Sequence, residues 1–599
     1  MAMVTLTIDG KQVTVPEGTP IIEAARTVGI DIPSLCYLKD INVIGSCRVC
    51  VVEVERAKTL QAACVTPVAN GMVVHTNSPK VRAARKTVVE LILSDHPFEC
   101  LTCPRNLNCE LQALAERLGI RTVRYEGAHR EERPVDASTP AIVRDPSKCI
   151  LCRRCVSVCE KIQGVYAIGP YGRGMDTVIG PAWRETMGNS SCVQCGQCVL
   201  VCPVGALYER DYTNEVWAAL QDPTKHVVVQ TAPATRVAIG EPLGLEPGSI
   251  STGKMVAALR ALGFDKVFDT DFTADLTIME EGSEFLERLK KGGPLPLITS
   301  CSPGWIKYME EFYPELSENV SSCKSPQQMF GALAKTFYAE KAGIDPKDIV
   351  SVSIMPCTAT KFDCNRPEMS DSGYQDVDYV LTVRELARMI KEAGLDFKNL
   401  PDEEYDAPFG IGTGAGLIFG ATGGVMEAAL RTVYELVTGK TLEKIDFEDV
   451  RGLTGLKKAT VDVNGTEVKV AVAHTLANAK ILLDKVKSGE EQFHFIEIMT
   501  CPGGCIGGGG QPIPTDTEIR EKRIAAIYEG DRQLPLRKSH ENPAVQELYR
   551  TFLGHPLSHK SHELLHTHYK KRPRHGTMTV KYGVTPAEEE TAASNGHDT

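Results

Sequence analysis

Twenty-one cysteines stand in a chain of 599 residues, fifteen of them before residue 203. Two runs, Cys149-Cys152-Cys155-Cys159 and Cys192-Cys195-Cys198-Cys202, each read CxxCxxCxxxC. Three thiolates on one short loop grip an iron cube, and the fourth cysteine of each run reaches the other cube. This spacing pairs Cys149, Cys152 and Cys155 with Cys202, and Cys192, Cys195 and Cys198 with Cys159. Upstream, His96, Cys100, Cys103 and Cys109 give one imidazole and three thiolates, a complete four-ligand set for iron–sulfur or zinc. Cys36, Cys47, Cys50 and Cys64 are four thiolates around a central CxxC, which suits a 2Fe–2S cluster; a four-cysteine zinc site is the alternative. Clusters of this kind move electrons rather than transform substrates. Three metal modules in series therefore read as a wire, with its terminus in the residues beyond 210.

Bulk properties agree. A net charge of −11 argues against nucleic acid and anionic membranes as partners. No run of eighteen apolar residues predicts a membrane span. The N-terminus has neither a signal-peptide pattern nor a twin arginine, so a reducing cytoplasmic setting is expected, where clustered cysteines mean metal.

The elements that must position these residues follow from periodicity. "VTLTIDGKQVTV" reads as a hairpin about Asp9-Gly10, with a helix at about 20–28. Residues 211–515 alternate strand-like runs ("HVVVQTAP", "PLPLITSC", "DIVSVSIMPC", "FHFIEIMTC") with helical segments, an α/β pattern. Three of the four runs end in cysteine-bearing loops, at Cys301, at Cys357, and at Cys501 with Cys505. Loops after strands are where α/β folds place active sites. Cys323 and Cys364 read as core thiols. The glycines of "GIGTGAG" (410–416) do not follow a strand, so a dinucleotide site is rejected; a tight turn beside a bulky cofactor explains them better. Residues 516–575 read as a helical, cationic, histidine-rich segment packed on the preceding domain, and 576–599 as a frayed tail.

Resemblances extend this reading. Residues 1–78 resemble plant-type ferredoxins, which implies a β-grasp 2Fe–2S domain. The pattern HxxxCxxCxxxxxC in 79–137 resembles the His-ligated 4Fe–4S site of the large iron–sulfur subunit of NADH dehydrogenases. Residues 138–210 are a two-cluster ferredoxin domain, followed by a large α/β domain at 211–515 and a helical small-subunit-like segment at 516–575. The expected class is thus multidomain, α+β and α/β. "TSCSPGW", "MPCTATKFDCNRPE" and "EIMTCPGGCIGGGGQP", with "ADLTIMEEGSEFLERL", "CKSPQQMFGA" and "GATGGVMEAALR", resemble the catalytic subunit of multi-cluster iron-iron hydrogenases.

That resemblance implies reversible cleavage of dihydrogen into protons and electrons. It implies one 2Fe–2S cluster, three 4Fe–4S clusters and an H-cluster, a 4Fe–4S cube joined to a di-iron unit bearing CO, cyanide and azadithiolate. Cys357, Cys501 and Cys505 match cube ligands, Cys505 being the one that bridges to the di-iron unit. Met355 and Met499 match apolar walls, and Cys301, Glu281, Ser321, Glu284 and Arg288 match a proton relay. Two departures stand out. Where the family has two adjacent cysteines, a proton donor and then a cube ligand, this chain has Cys301-Ser302. Either Cys301 is the donor with Ser302 at the ligand position, or a loop shift makes Cys301 the ligand. Thr360 replaces a lysine that hydrogen-bonds cyanide, with Lys361 adjacent. The implied partners are a flavin-containing NAD(P)H subunit and a small 2Fe–2S subunit in a hetero-oligomer, together with soluble ferredoxin. The two departures motivate an alternative, a redox sensor or electron-transfer subunit with a weakened site.

Overall fold

The computed structural model describes residues 2–127, 133–440, 446–447, 450–463 and 465–574; the expected tail at 576–599 lies outside them. Met3–Ile8 and Lys11–Pro16 form the antiparallel hairpin, turning through Asp9 and Gly10 at φ 45° and 80°. Successive left-handed residues match the right-handed twist of the flanking strands. Val73–His75 lies parallel to the first strand, and Val51–Val54 and Gln61–Ala62 complete a five-stranded sheet. Leu6, Ile8, Val13 and Val15 face inward at every second position, against Ile21, Ile22, Ala24 and Ala25 of the helix Ile21–Arg26. This is the β-grasp.

Helix Pro79–Ser94, whose first turn donates from Val81 N to the Ser78 hydroxyl, leads into the His96 loop, and helix Glu110–Arg117 leaves it. Each CxxCxxCxxxC run then opens a short helix, Arg154–Ser157 or Gln197–Val201. Arg153 and Gly196, just before them, are left-handed at φ 61° and 69°, which curls each loop back around its sulfurs.

The large domain holds two four-stranded sheets. In one, Lys266–Asp269, His226–Thr231, Ile349–Met355 and Tyr379–Thr382 lie side by side, all parallel. Buried on both faces, these strands are rich in Val and Ile, with Gln230, Ser351 and Ser353 buried among them. In the other, Leu297–Ile298, Phe495–Met499 and Thr466–His474 are parallel, and Leu456–Val463 closes the edge antiparallel. The 22-residue helix Thr270–Lys291 is capped at its start by Asp269 and ended by Gly292 at φ 75°. Its first half is buried, including the polar Asp271, Asp275, Glu280 and Glu281. Helices Thr517–Gln533, Pro543–Leu548 and His559–Leu565 pack on this domain. Ion pairs Arg523–Glu241 (2.6 Å) and Arg431–Asp531 (2.9 Å) anchor the first of them. No described helix is long and apolar enough to cross a membrane.

Candidate active site and its cysteine chain

Four strands deliver their C-terminal ends to one pocket of about 90 Å³. Ala232-Pro233 follows the first, Cys301-Ser302 the second, Pro356-Cys357 the third and Thr500-Cys501 the fourth; Cys505 closes the ring. Met355, Met499 and Phe419 make the walls apolar, and Thr360, Ser325 and Gln327 add a polar side. The Cys505 loop folds this tightly because Gly503 and Gly504 sit at φ 80° and 91°; a Cβ on Gly504 would meet Thr422 N at 2.7 Å. Ser302 Oγ lies 2.8 Å from Thr500 Oγ1, which fixes Ser302 beside Cys501.

The donor set fits an iron–sulfur group. None of the 21 cysteines is in a disulfide. Burial pushes the Cys357 thiol up to about 11 and Cys505 up to about 12, and also holds Cys501 and Cys301 well above the ordinary thiol range. Bare thiolates do not persist in such a pocket; bound iron supplies the charge that makes them thiolates. Gln327 Oε1, buried on the wall, has no protein partner, so a polar group in the pocket would satisfy it.

Behind Cys301 lies a line of proton-bearing groups. Glu281 is buried, with the Ser321 hydroxyl and the Ser300 backbone near its carboxyl, though neither contact reaches full hydrogen-bond geometry. Burial and then the nearby Glu284 push it up to about 8. Ser321, alongside, donates from Oγ to Glu284 Oε2 at 2.9 Å. Arg288 donates to Glu284 Oε1 and to the carbonyls of Pro294, Glu318, Asn319 and Val320. It is a clamp on Glu284, since a guanidinium stays charged.

The other cysteines assemble in four groups. Cys36 lies within hydrogen-bonding reach of Cys47 and Cys64, and Cys50 of Cys64. His96, Cys100, Cys103 and Cys109 line one hollow. Cys149, Cys152, Cys155 and Cys202 line another; Cys159, Cys192, Cys195 and Cys198 line a third.

Their arrangement is branched, which corrects the serial wire inferred from chain order. Asn42 Nδ2 donates to the carbonyls of Cys36 (2.7 Å) and Cys152 (3.0 Å), joining the N-terminal group directly to the Cys149 group. The His96 group meets that same site from elsewhere: Glu110 N donates to Pro203 O at 2.9 Å, and a Cβ on Gly205 would lie 2.5 Å from Cys103 Sγ. One stem continues. A Cβ on Gly509 would lie 2.2 Å from the Cys195 carbonyl, so only glycine lets the Cys505 loop press on the Cys192 group. Gln197 Nε2 donates to Gly507 O at 2.8 Å, and its side chain lies beside Cys501. Sequence reading missed Asn42, Gly205, Gln197 and Gly509; the glycines of "GGGG" were the one visible signal.

Two further expectations are corrected. Lys361 does not reach the pocket: its ammonium donates to Val380 O (2.6 Å) and Glu385 Oε1 (2.8 Å), away from the lining. The glycines of 410–416 do not border the pocket either. Gly412 and Gly416 abut Asp271, and Gly414 abuts Asp531, where a Cβ would lie 2.4, 2.4 and 2.0 Å from the neighbouring atom. They let two helices approach. Cys323 and Cys364 are buried core thiols.

Comparison with known proteins gives five family matches along the chain. Residues 1–79 match the 2Fe-2S iron-sulfur cluster binding domain, 85–124 the NADH-ubiquinone oxidoreductase-G iron-sulfur binding region, and 130–206 the 4Fe-4S dicluster domain. Residues 225–509 match the iron only hydrogenase large subunit, C-terminal domain, and 517–572 the iron hydrogenase small subunit. The NADP-reducing hydrogenase subunit HndD of Solidesulfovibrio fructosivorans is 55% identical over 586 residues, 96% of this chain and 100% of that one. Iron hydrogenase 1 of Clostridium pasteurianum is 43% identical over 95% of this chain and 100% of its own. The solved structure of a variant of apo [FeFe]-hydrogenase HydA1 from Chlamydomonas reinhardtii is 48% identical, with a TM-score of 0.55 over 61% of this chain and 100% of that one. The chain belongs to the iron-iron hydrogenase family, as a hydrogenase whose H-cluster domain follows 2Fe–2S and 4Fe–4S domains.

Proposed function

We propose that Cys357, Cys501 and Cys505 hold the cube of the H-cluster, that Ser302 stands at its fourth corner, and that Cys301 is the proton-carrying thiol. When bound, the H-cluster supplies the irons at which dihydrogen is split and its electrons are taken up. Charge proximity supports the division of labour. Cys501 is surrounded by Cys357, Cys505 and Cys195, whereas the charged neighbours of Cys301 begin with Glu281. Burial keeps the Cys301 thiol protonated. Glu281, at about 8, both takes and gives a proton near neutral pH. In hydrogen oxidation the proton passes from Cys301 Sγ to Glu281. The Ser321 hydroxyl then turns to accept it while handing its own proton to Glu284, which Arg288 holds in place.

Electrons travel the other way round the pocket. The proposed complement is one 2Fe–2S cluster at Cys36, Cys47, Cys50 and Cys64 and three 4Fe–4S clusters in the remaining groups, within segments ending at 78, 137, 210, 515 and 575. Cys100 is exposed next to Leu101, and the same cysteine loop carries Leu107, the two leucines being 90% and 91% exposed, which supports electron exchange with another protein there. The relative named as an NADP-reducing hydrogenase subunit supports a hetero-oligomer; the proposed cytoplasmic setting, flavin-containing NAD(P)H subunit, small 2Fe–2S subunit and soluble ferredoxin rest on the family resemblance alone.

The convergence of Cys301, Cys357, Cys501 and Cys505 in one apolar pocket with Glu281 behind it carries this reading. Matured protein should show CO and cyanide infrared bands and evolve hydrogen from a reduced dye. Bands without turnover would instead favour the sensor reading, which Ser302 and Thr360 motivate. Absence of both bands and turnover in cluster-replete protein refutes the assignment of the pocket.

A further inference from the structure

We propose that Ser322 and His566 form a second proton branch, which takes the proton from Glu284 into the C-terminal segment. The inference rests on the relay through Glu281, Ser321 and Glu284 given above. Ser322 Oγ lies 3.3 Å from Glu284 Oε2 and 2.8 Å from His566 Nδ1. On its far side, His566 Nε2 lies 3.1 Å from Glu280 Oε2. These contacts make an unbroken line of hydrogen-bonding atoms from Glu284 to Glu280.

The line has a direction. Glu280 also accepts from Tyr549 Oη, Leu557 N and the Ser561 hydroxyl. Burial alone would raise its carboxyl, but the donors from His566, Ser561, Tyr549 and Leu557 outweigh it and hold Glu280 below its usual range. An anionic Glu280 accepts a hydrogen bond from His566 Nε2–H, which fixes the proton on Nε2 and leaves the Nδ1 lone pair facing Ser322. When Glu284 is protonated, its O–H bond breaks as a new bond forms to Ser322 Oγ. The original Ser322 proton moves to His566 Nδ1. The products are a Glu284 carboxylate and an imidazolium paired with Glu280. The exposed His562 ring lies 4.2 Å from that of His566 and marks the side where the proton reaches water.

Holding the segment in place does not require this side chain. Thr567 N donates to Ser322 O at 2.7 Å and Lys324 N to Leu565 O at 2.8 Å, so backbone bonds already dock it. Arg288, which also holds Glu284, stays charged and cannot accept the proton. The titratable and charged groups around His566 are Glu280 and Glu284 of helix Thr270–Lys291, with Arg288 clamped on Glu284. Cys323 of the facing loop, Tyr549 through Glu280, and His562 complete the set.

The test uses matured full-length protein and two variants, His566→Gln and Ser322→Ala, beside Glu281→Gln. Either branch variant should lower hydrogen oxidation by about 10²-fold, the lower end of what a positioned proton-transfer group contributes. The KM for hydrogen and the CO and cyanide bands should not move, and the pH–rate profile should lose an ionisation. Combining the two should add nothing further. Independently of turnover, ¹⁵N-histidine spectra of apo-protein should report the Nε2–H tautomer at His566. Wild-type turnover and pH profile in both variants, or an Nδ1–H tautomer, overturns the branch. If Glu281→Gln is then still crippled, only the branch has failed and the proton leaves Glu284 directly to water. If Glu281→Gln is also unaffected, the relay beneath it has failed as well. Should His566→Gln not fold, Ser322→Ala decides.

Discussion

Gly509→Ala tests the electron path with a single methyl group. A Cβ at 509 would stand 2.2 Å from the Cys195 carbonyl oxygen and 2.7 Å from Gly196 Cα, where ordinary contact begins near 3.4 Å. One loop must therefore recede by roughly 1.2 Å, the difference between those two contact distances. Neither side yields cheaply. The 509 backbone is held by Arg384 Nη2 donating to its carbonyl (2.9 Å) and by Gly510 N donating to Pro356 O (2.8 Å). The 195 loop is held by Thr358 Oγ1 donating to Gln194 O at 2.7 Å. Overpacking of this kind costs about 1–3 kcal/mol, which the fold tolerates, so the strain is relieved by widening the gap between the two cluster loops. Two assays separate the consequences. Exchange of dihydrogen with deuterated water needs only the pocket and its proton relay, and should persist. Hydrogen oxidation coupled to a dye reduced at the accessory clusters needs the gap to be crossed, and should fall severalfold or more. Equal retention of both activities would show that this contact is not the electron path. Equal loss would show that the methyl group damages the pocket itself.

Glu281→Gln should depress exchange and dye-linked turnover together, by about 10²–10⁴-fold. Because the native state keeps the Glu281 proton up to about pH 8 while an unfolded carboxyl releases it near 4.5, the wild type should lose stability relative to this variant as pH rises through that interval; denaturant titrations with no such crossing would contradict the assigned burial. Ser302→Cys should raise cluster occupancy and turnover if Ser302 holds the fourth corner, and change neither if Cys301 is already the ligand. Cys301→Ala should keep the CO and cyanide bands but slow turnover; loss of iron along with the bands would reverse the two roles. Cys202→Ala should remove the paramagnetic signal of the Cys149, Cys152 and Cys155 cluster, and loss of the Cys192 cluster alone would contradict the crossed grouping.

How much was legible follows from how each feature is encoded. A cluster site needs several ligands within one loop, so its spacing is written locally, and the groups around Cys149, Cys192 and His96 could be read one residue at a time. The four strands before the pocket were equally visible, because burial on both faces demands runs rich in apolar residues. Lys361 shows where adjacency misleads. On the short helix Thr360–Asp363 neighbouring residues point about 100° apart, so a lysine one place late turns to Glu385 and cannot stand in for Thr360. The seven residues of 410–416 mislead differently: helix–helix contact and a cofactor turn both select glycine, and composition does not distinguish them.

Electron and proton links are the least legible, because each consists of one atom from each of two distant elements. Asn42 and Cys152 are 110 residues apart and Ser322 and His566 are 244 apart, and no period connects either pair. That asymmetry also bears on the two departures. Under the proposed assignment Ser302 removes a soft donor, but its hydroxyl contact with Thr500 holds that proposed corner in place. Thr360 removes a charge from the polar wall, yet Gln327 remains there with an unpartnered oxygen and an amide that rotation can present. Both changes therefore alter the chemistry of a ligand contact without moving the strands, glycines and carboxylates that bring electrons and protons to it. Their effect should appear in cluster potential and occupancy, with the accessory groups and the Glu281 line intact.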